Sequence, residues 1–231
     1  MAADARIGLQ PAFVLHRRPY SNTSLLLEAF LLDDGRLPLL AKGAAGRGLG
    51  ASLLQPFVPL LLTHSGRGEV RTVGRFEAAG PAYPLRGEHL YCGFYLNELL
   101  VRLMQRSEPH GALFAVYQET LQALGQGGDP EPALRRFEVR LLDELGYALV
   151  LDREADRDAV LEPAGRYDYV VEKGPVVAAG GEVAGSTLLK LRSGAALVGD
   201  ERREARRLLR RVLDHYLGGR PLKSRELFVR G

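Results

Sequence analysis

The chain has 231 residues, of which 46% are hydrophobic, and its formal net charge is +3. This length allows one large or two small domains with a real core, and no apolar stretch approaches the roughly 20 residues of a membrane span. The single cysteine, Cys92, excludes an internal disulfide and a cysteine zinc cluster. The absence of a basic and then apolar leader predicts a cytoplasmic protein.

The charge is unevenly distributed along the chain. Residues 1–80 and 186–231 carry an excess of Lys and Arg, whereas residues 81–185 carry an excess of Asp and Glu. A polyanion would therefore meet the two ends of the chain first. A generally arginine-rich composition would give the same uneven charge without any binding partner. Both explanations, a polyanionic partner and composition alone, stay open.

The N-terminal part shows five short apolar runs separated by turn signals. The runs cover residues 12–20, 24–32, 37–41, 55–63 and 69–76. Short strands at this spacing predict a small β-barrel or sandwich. The loop 42–50 combines basic side chains with glycines, whose backbone freedom suits contact with an irregular polymer.

The pattern becomes helical after the hinge-like residues 78–81. Helices are predicted at 87–104, 113–124, 133–145, 186–191 and 200–217. Residues 150–185 interrupt this pattern, because they are acidic and polar and contain a predicted hairpin at 167–178.

The last predicted helix has an apolar stripe on one side and arginines on the other. The arginines are Arg202, Arg203, Arg206, Arg207, Arg210 and Arg211. Like charges four residues apart repel by a few tenths of a kcal/mol per pair. An anionic partner would relieve this repulsion, but a solvated arginine face is an equally open interpretation.

The sequence contains no recognisable catalytic constellation. Its five histidines show no metal-ligand spacing, and neither a phosphate-binding loop nor a nucleophile elbow is present. Cys92 lies in an apolar helix and is interpreted as a small buried hydrophobic residue. These observations favour a binding protein that is not an enzyme and needs no cofactor.

Basic side chains and one tyrosine occur at the predicted strand ends and turns. We expect the basic ones to line one side of the barrel and contact phosphates, while Tyr20 stacks on a base. Lys223 and Arg225, with part of the last helix, would extend this surface. The basic residues of the barrel are Arg17, Arg18, Lys42, Arg47, Arg67 and Arg71.

Several motifs spread in order along the chain carry a family resemblance. They include AFVLHRRPYS at 12–21, LAKGA at 40–44, CGFYLNELL at 92–100 and YLGGRPLKSREL at 216–227. Together they resemble the bacterial recombination mediator family RecO.

The resemblance implies an α+β fold with an N-terminal OB-fold barrel, 1–80, followed by an α-helical domain, 81–231. Many family members carry a four-cysteine zinc site inserted in the helical domain. The corresponding residues here, about 150–185, contain no cysteine. We therefore expect a small, degenerate hairpin insertion without zinc, held by packing.

The resemblance also implies a function. It implies binding of single- and double-stranded DNA, annealing of complementary strands and, with RecR, help for RecA in displacing the single-stranded DNA-binding protein SSB; such a protein would be nucleoid-associated. An RNA- or ribosome-associated OB-fold protein and an assembly scaffold are the alternatives.

A second implied site on the helical domain receives the acidic C-terminal tail of SSB. Arg135 matches the family motif best, and Arg136 is its neighbour. A terminal carboxylate beside an apolar pocket is well matched by a guanidinium. The competing interpretation is that the arginine pairs with Glu131 or Glu138 along the helix.

Overall fold

The computed structural model describes residues 8–45 and 48–229. They pack as two units. The first unit runs up to Gln126 and includes the C-terminal segment from Leu222 on, and the second unit is Gly127–Pro221. The sequence-based division at residue 80 differs from this packing and stays a prediction about domain organisation. Within the described ranges, no helix has both the length and the apolar character needed to cross a membrane.

Five strands of the first unit close into a barrel in the order β1-β2-β3-β5-β4. The pairing is antiparallel except between β3 and β5, which run parallel and close the barrel. The expected OB-fold barrel is confirmed. The elements are β1 (Gln10–Pro19), β2 (Leu25–Leu31), β3 (Gly35–Ala41), α1 (Leu49–Leu53), β4 (Leu60–Ser65) and β5 (Arg71–Ala78).

Alternation along the strands builds the barrel interior. Val14, Leu27 and Leu39 are fully buried members of one apolar cluster that includes inward residues of β4, such as Leu60. Since successive side chains of a strand point to opposite faces, this cluster uses every second residue. The strands were predicted from apolar runs between turn signals, and the structure adds the alternation of buried residues within them.

The outer face of β1 and β2 is also buried around Phe13, Leu15 and Phe30, because two helices of the same unit cover it there. These are α2 (Glu88–Leu103) and α3 (Gly111–Gln126). Phe13 meets Tyr117 edge to face at 5.2 Å between ring centroids. Asn97 donates to the carbonyl of Leu15 at 2.9 Å and accepts from the Tyr117 hydroxyl at 2.6 Å. This buried polar link fixes both helices against the barrel.

The predicted strand 55–63 is wrong in its first half. The strand begins only at Leu60, and the preceding helix α1 was not predicted. Pro56 and Pro59 lack the backbone donor that a ladder needs. Phe57 has a φ of 68°, which no regular strand accommodates. The ladder therefore starts immediately after the second proline.

The second unit combines three helices with a small sheet of strand order β7-β6-β8. The pairing of β6 with β7 confirms the predicted hairpin at 167–178. The helices are α4 (Glu131–Glu144), α5 (Gly185–Ser193) and α6 (Asp200–Tyr216). The strands are β6 (Arg166–Val170), β7 (Gly174–Val177) and β8 (Val183–Ala184).

Hydrogen bonds from side chains anchor this small sheet. The Tyr167 hydroxyl accepts from the Glu162 backbone at 3.0 Å, and Arg166 donates to Glu204 of α6 at 2.5 Å. Glu204 also accepts from the Thr187 hydroxyl and the Ala184 backbone. Burial opposes the charge of Glu204, but these hydrogen bonds outweigh it and hold its pKa below the ordinary value.

Candidate nucleic-acid interface

Three strand ends meet at one end of the barrel. Pro19 at the end of β1 pairs with Leu25 at the start of β2, and Leu25 pairs with Ala41 at the end of β3. We call the residues that flank this meeting point the barrel tip. The barrel tip consists of three exposed side chains that the sequence predicted as DNA contacts: Arg18, Tyr20 and Lys42.

The charge of the barrel tip is available to a ligand. Neither Arg18 nor Lys42 forms an ion pair with any residue that the structure describes. Tyr20 is 65% exposed, so its ring is accessible. Stacking of a base on such a ring contributes about 1–3 kcal/mol and tolerates any base. The barrel tip thus presents two cationic side chains and one accessible aromatic ring.

Arg17 is exposed beside the barrel tip but has a structural contact. Its guanidinium donates to the carbonyls of Ala51 at 2.8 Å and Leu54 at 3.3 Å. These carbonyls lie at the end of α1, where a helix leaves acceptors unsatisfied. Arg17 therefore holds α1 against β1 while it keeps its positive charge.

Arg67 and Arg71 belong to the loop before β5 and to the start of β5, where the backbone of Arg71 pairs with Leu39 of β3. Arg71 donates to Asp34 at 3.2 Å, and Asp34 belongs to the turn between β2 and β3. That turn is at the opposite end of β2 and β3 from Lys42. Arg67 is exposed in the loop that precedes β5. The structure therefore does not bring the predicted basic residues together in one continuous row.

Asp34 is the centre of a polar cluster that we call the clasp. Its carboxylate accepts from Gln10 at 2.5 Å, lies 2.9 Å from His64 Nε2 and pairs with Arg71. The clasp joins the start of β1, the β2–β3 turn, β4 and β5. Burial opposes the charge of Asp34, but the hydrogen bonds, led by that of His64, hold its pKa below the ordinary value. Arg71 is thus partly neutralised.

The C-terminal segment packs on α2 in the first unit. It forms a 3₁₀ helix, Lys223–Val229, whose first backbone groups donate to Glu98. The Ser224 hydroxyl donates to the same carboxylate at 2.7 Å. Burial opposes the charge of Glu98, but these donors hold its pKa below the ordinary value. Lys223 is exposed and Arg225 half-buried, in the same unit as the barrel.

The two arginines predicted to receive a peptide differ in exposure. Arg135 is buried and donates to Glu138 at 2.7 Å, one of the two intrahelical pairings considered from the sequence. Arg136 is exposed on the next position of α4. Adjacent positions of a helix do not face each other, so the two arginines point in different directions, and a carboxylate that reached Arg135 would compete with Glu138.

Arg47 falls outside the described residues. In the part of the chain that the structure describes, no group of three or more His, Cys, Asp or Glu side chains is arranged to hold a metal ion. Cys92 is buried, as its apolar surroundings predicted. The residues at 150–185 thus do not fit the four-thiolate zinc site of the resemblance.

Sequence reasoning missed the acidic residues that organise these surfaces. Asp34 was interpreted only as turn chemistry, and Glu98 received no role. Their partners are distant in sequence, since Arg71 follows Asp34 by 37 positions and Ser224 follows Glu98 by 126. The only sign of these roles in the sequence was that Asp34 and Glu98 occur in segments whose other residues are mostly basic or apolar.

Two family models match the chain. The model described as "Recombination protein O N terminal" matches residues 7–82, and "Recombination protein O C terminal" matches residues 85–226. Together they span both the barrel and the helices of the two units.

Curated relatives are similar over almost the whole chain. "DNA repair protein RecO" of Methylococcus capsulatus is 49% identical over 228 residues, which cover 97% of this chain and 94% of the relative. The protein of the same name from Nitrosospira multiformis is 46% identical, with 94% and 93% covered. That from Photobacterium profundum is 42% identical, with 96% of each chain covered.

Proposed function

This chain belongs to the RecO family of DNA repair proteins, and we propose that it binds single- and double-stranded DNA and anneals complementary strands. With RecR, it helps RecA replace SSB on single-stranded DNA in recombinational repair. The observation that carries the DNA-binding part is the barrel tip, where two cationic side chains without a carboxylate partner among the described residues flank an exposed tyrosine.

Annealing on this surface requires no covalent chemistry. Two DNA strands repel each other because each carries a dense row of phosphates, and Lys and Arg side chains reduce that repulsion by neutralising part of the phosphate charge, with release of counterions. Base pairing then supplies the sequence specificity. The protein acts as a binding mediator rather than an enzyme.

Recruitment to SSB-coated DNA rests on the second unit. Arg136 is exposed on α4 and offers a contact for the acidic tail of SSB, whereas Arg135 on the adjacent position is buried and bonded to Glu138. Titration of a labelled tail peptide against Arg136→Ala and Arg135→Ala tests this site. We expect severalfold weaker binding for Arg136→Ala, and equal affinity of both variants to wild type would remove α4 from the site.

The proposed function is tested by annealing of complementary oligonucleotides that are first coated with SSB. We expect the full chain to accelerate duplex formation without ATP and to leave both strands intact. RecR is added in a second series to measure its effect on RecA loading. A rate equal to spontaneous annealing would overturn the proposal, and cleaved strands would overturn its non-enzymatic part.

A further inference from the structure

The outward face of α6 carries a row of arginines. Burial of the apolar stripe, which includes Leu208, Leu209 and Val212, defines the opposite face of the helix. Residues three and four positions apart are neighbours on a helix surface. The outward row, which we call the α6 row, therefore brings together Arg203, Arg206, Arg207 and Arg210, all exposed.

Two other arginines of α6 have structural contacts and do not belong to the row. Arg202 donates to Asp129 and to Glu131 Oε2 at the start of α4, the latter at 2.6 Å. Arg211 donates to Glu182 at 2.7 Å and to the backbone carbonyl of Tyr169. Both arginines fix α6 within the second unit. From the sequence alone, all six arginines of α6 were assigned to one face. Their hydrogen-bond partners in the structure distinguish Arg202 and Arg211 from the other four.

The α6 row is weakly neutralised. Arg206 and Arg210 each lie 3.9 Å from a carboxylate, of Glu131 and Asp214, and their side chains are 61% and 66% exposed. Exposed pairs of this kind contribute little to stability. Arg203 pairs with Asp200 within its own helical turn.

Arg207 forms no ion pair with any residue in the described ranges. It is a near neighbour of Arg203, four positions before it, and of Arg210, three positions after it. Each such pair of like charges destabilises the helix. A bound polyanion would turn this repulsion into attraction.

The chemistry of the face favours a polynucleotide over an acidic protein. None of the large exposed apolar side chains in the described part of the chain lies on α6. A peptide would need an apolar anchor, whereas phosphates need only guanidinium forks. Seven positions of helix, from Arg203 to Arg210, span about 10 Å at 1.5 Å per residue. Over that length the row can contact a short stretch of the phosphate backbone of one strand.

We propose that the α6 row is a second polynucleotide-binding site, separate from the barrel tip, so that one chain holds two strands at once. This inference rests on the proposed function, because it assumes that the barrel tip holds the first strand. Annealing would follow directly, because each unit of the chain would bind one of the two complementary strands. The chain would then act as a two-site bridge.

Binding stoichiometry of the full-length protein tests this proposal. A fluorescent single-stranded oligonucleotide of about eight nucleotides, within the site size of one OB-fold, is titrated to saturation at low salt. The variant is Arg207→Ala with Arg210→Ala. The matched control is Arg140→Ala with Arg157→Ala, which removes the same charge from the second unit at exposed positions outside α6. Circular dichroism verifies that all proteins are folded.

We expect two oligonucleotides per chain for wild type and control, and one for the α6 variant. Two per chain in the variant, or one in wild type, would overturn the second site and leave the proposed function standing. No binding by wild type would overturn the proposed function itself. A poly-glutamate peptide that binds wild type but not the α6 variant, while the oligonucleotide count stays unchanged, would assign the face to an acidic protein and also overturn the proposal.

Discussion

Asp34 shows how a single carboxylate changes the role of a predicted DNA contact. It forms an ion pair with Arg71, so the charge of that arginine is partly neutralised within the protein. It also binds His64, whose side chain is fully buried. From the sequence, Asp34 was interpreted only as a turn residue. In the structure its hydrogen bonds join the β2–β3 turn to β1, β4 and β5.

The clasp predicts a pH-dependent contribution to stability. Folding holds the pKa of Asp34 below its ordinary value of 3.8. Such a group stabilises the fold above its unfolded pKa, and this contribution is lost as the pH falls through the folded pKa. We expect Asp34→Asn to lower the free energy of unfolding by about 1–3 kcal/mol at pH 7. The difference in the free energy of unfolding between Asp34→Asn and wild type should become smaller below pH 4. Urea unfolding at pH 7, 4 and 3 measures it, and a constant difference would contradict the account.

Gly35 occupies a position that only glycine fits. Its φ is +68°, and a Cβ there would lie 1.9 Å from the backbone oxygen of Glu108. We expect Gly35→Ala to lower the free energy of unfolding by about 2–4 kcal/mol, because backbone strain and overlap add together. Gly43→Ala is the matched control, since Gly43 has a φ of +71° and open space around it. Equal losses in denaturant unfolding would show that the contact with Glu108 is unimportant.

At the scale of elements, the C-terminal 3₁₀ helix depends on a residue of α2. Glu98 accepts from the backbone of Lys223 and Ser224, which are the first residues of that segment. Short helices of this type are weak by themselves. The carboxylate therefore determines where the C-terminal segment docks on the first unit.

Removal of this carboxylate should release the segment locally. We expect Glu98→Ala to increase amide hydrogen exchange at residues 223–229 by about tenfold or more, because the three charge-assisted hydrogen bonds to this carboxylate together contribute more than about 1.4 kcal/mol. Exchange in β1–β3 should stay unchanged. Glu88→Ala, an exposed position of the same helix, is the control. Unchanged exchange at 223–229 in Glu98→Ala would show that packing alone holds the segment.

Helices and strands could be predicted from the sequence where a run or a periodic pattern of apolar residues identified them. The apolar runs around Val14 and Leu27, bounded by turn signals, indicated strands, and the stripe of α6 with Leu208 and Leu209 indicated a helix, because apolar residues recur there with the period of a helix. Helix α1 escaped this reasoning. It has only five residues, too few for a period, and is fixed by the carbonyl contacts of Arg17.

At the scale of the whole molecule, the sequence shows where charge is concentrated but not where it is available. Arg18 and Arg71 look equivalent in the sequence, yet only Arg71 meets a carboxylate in the described structure. Likewise Arg207 and Arg211 lie one turn apart, but Arg211 is bound to Glu182. These differences come from partners that the fold brings together from distant segments, so no local pattern contains them.

The central claim is that the barrel tip binds DNA through its cationic side chains, and the salt dependence of single-strand binding tests it most directly. Each lost phosphate contact reduces the slope of log K against log salt concentration by about 0.7 on single strands. We predict that Arg18→Ala with Lys42→Ala lowers the slope by about 1.4, whereas Arg140→Ala with Arg157→Ala leaves it unchanged. Identical slopes for wild type and the tip variant would contradict the account.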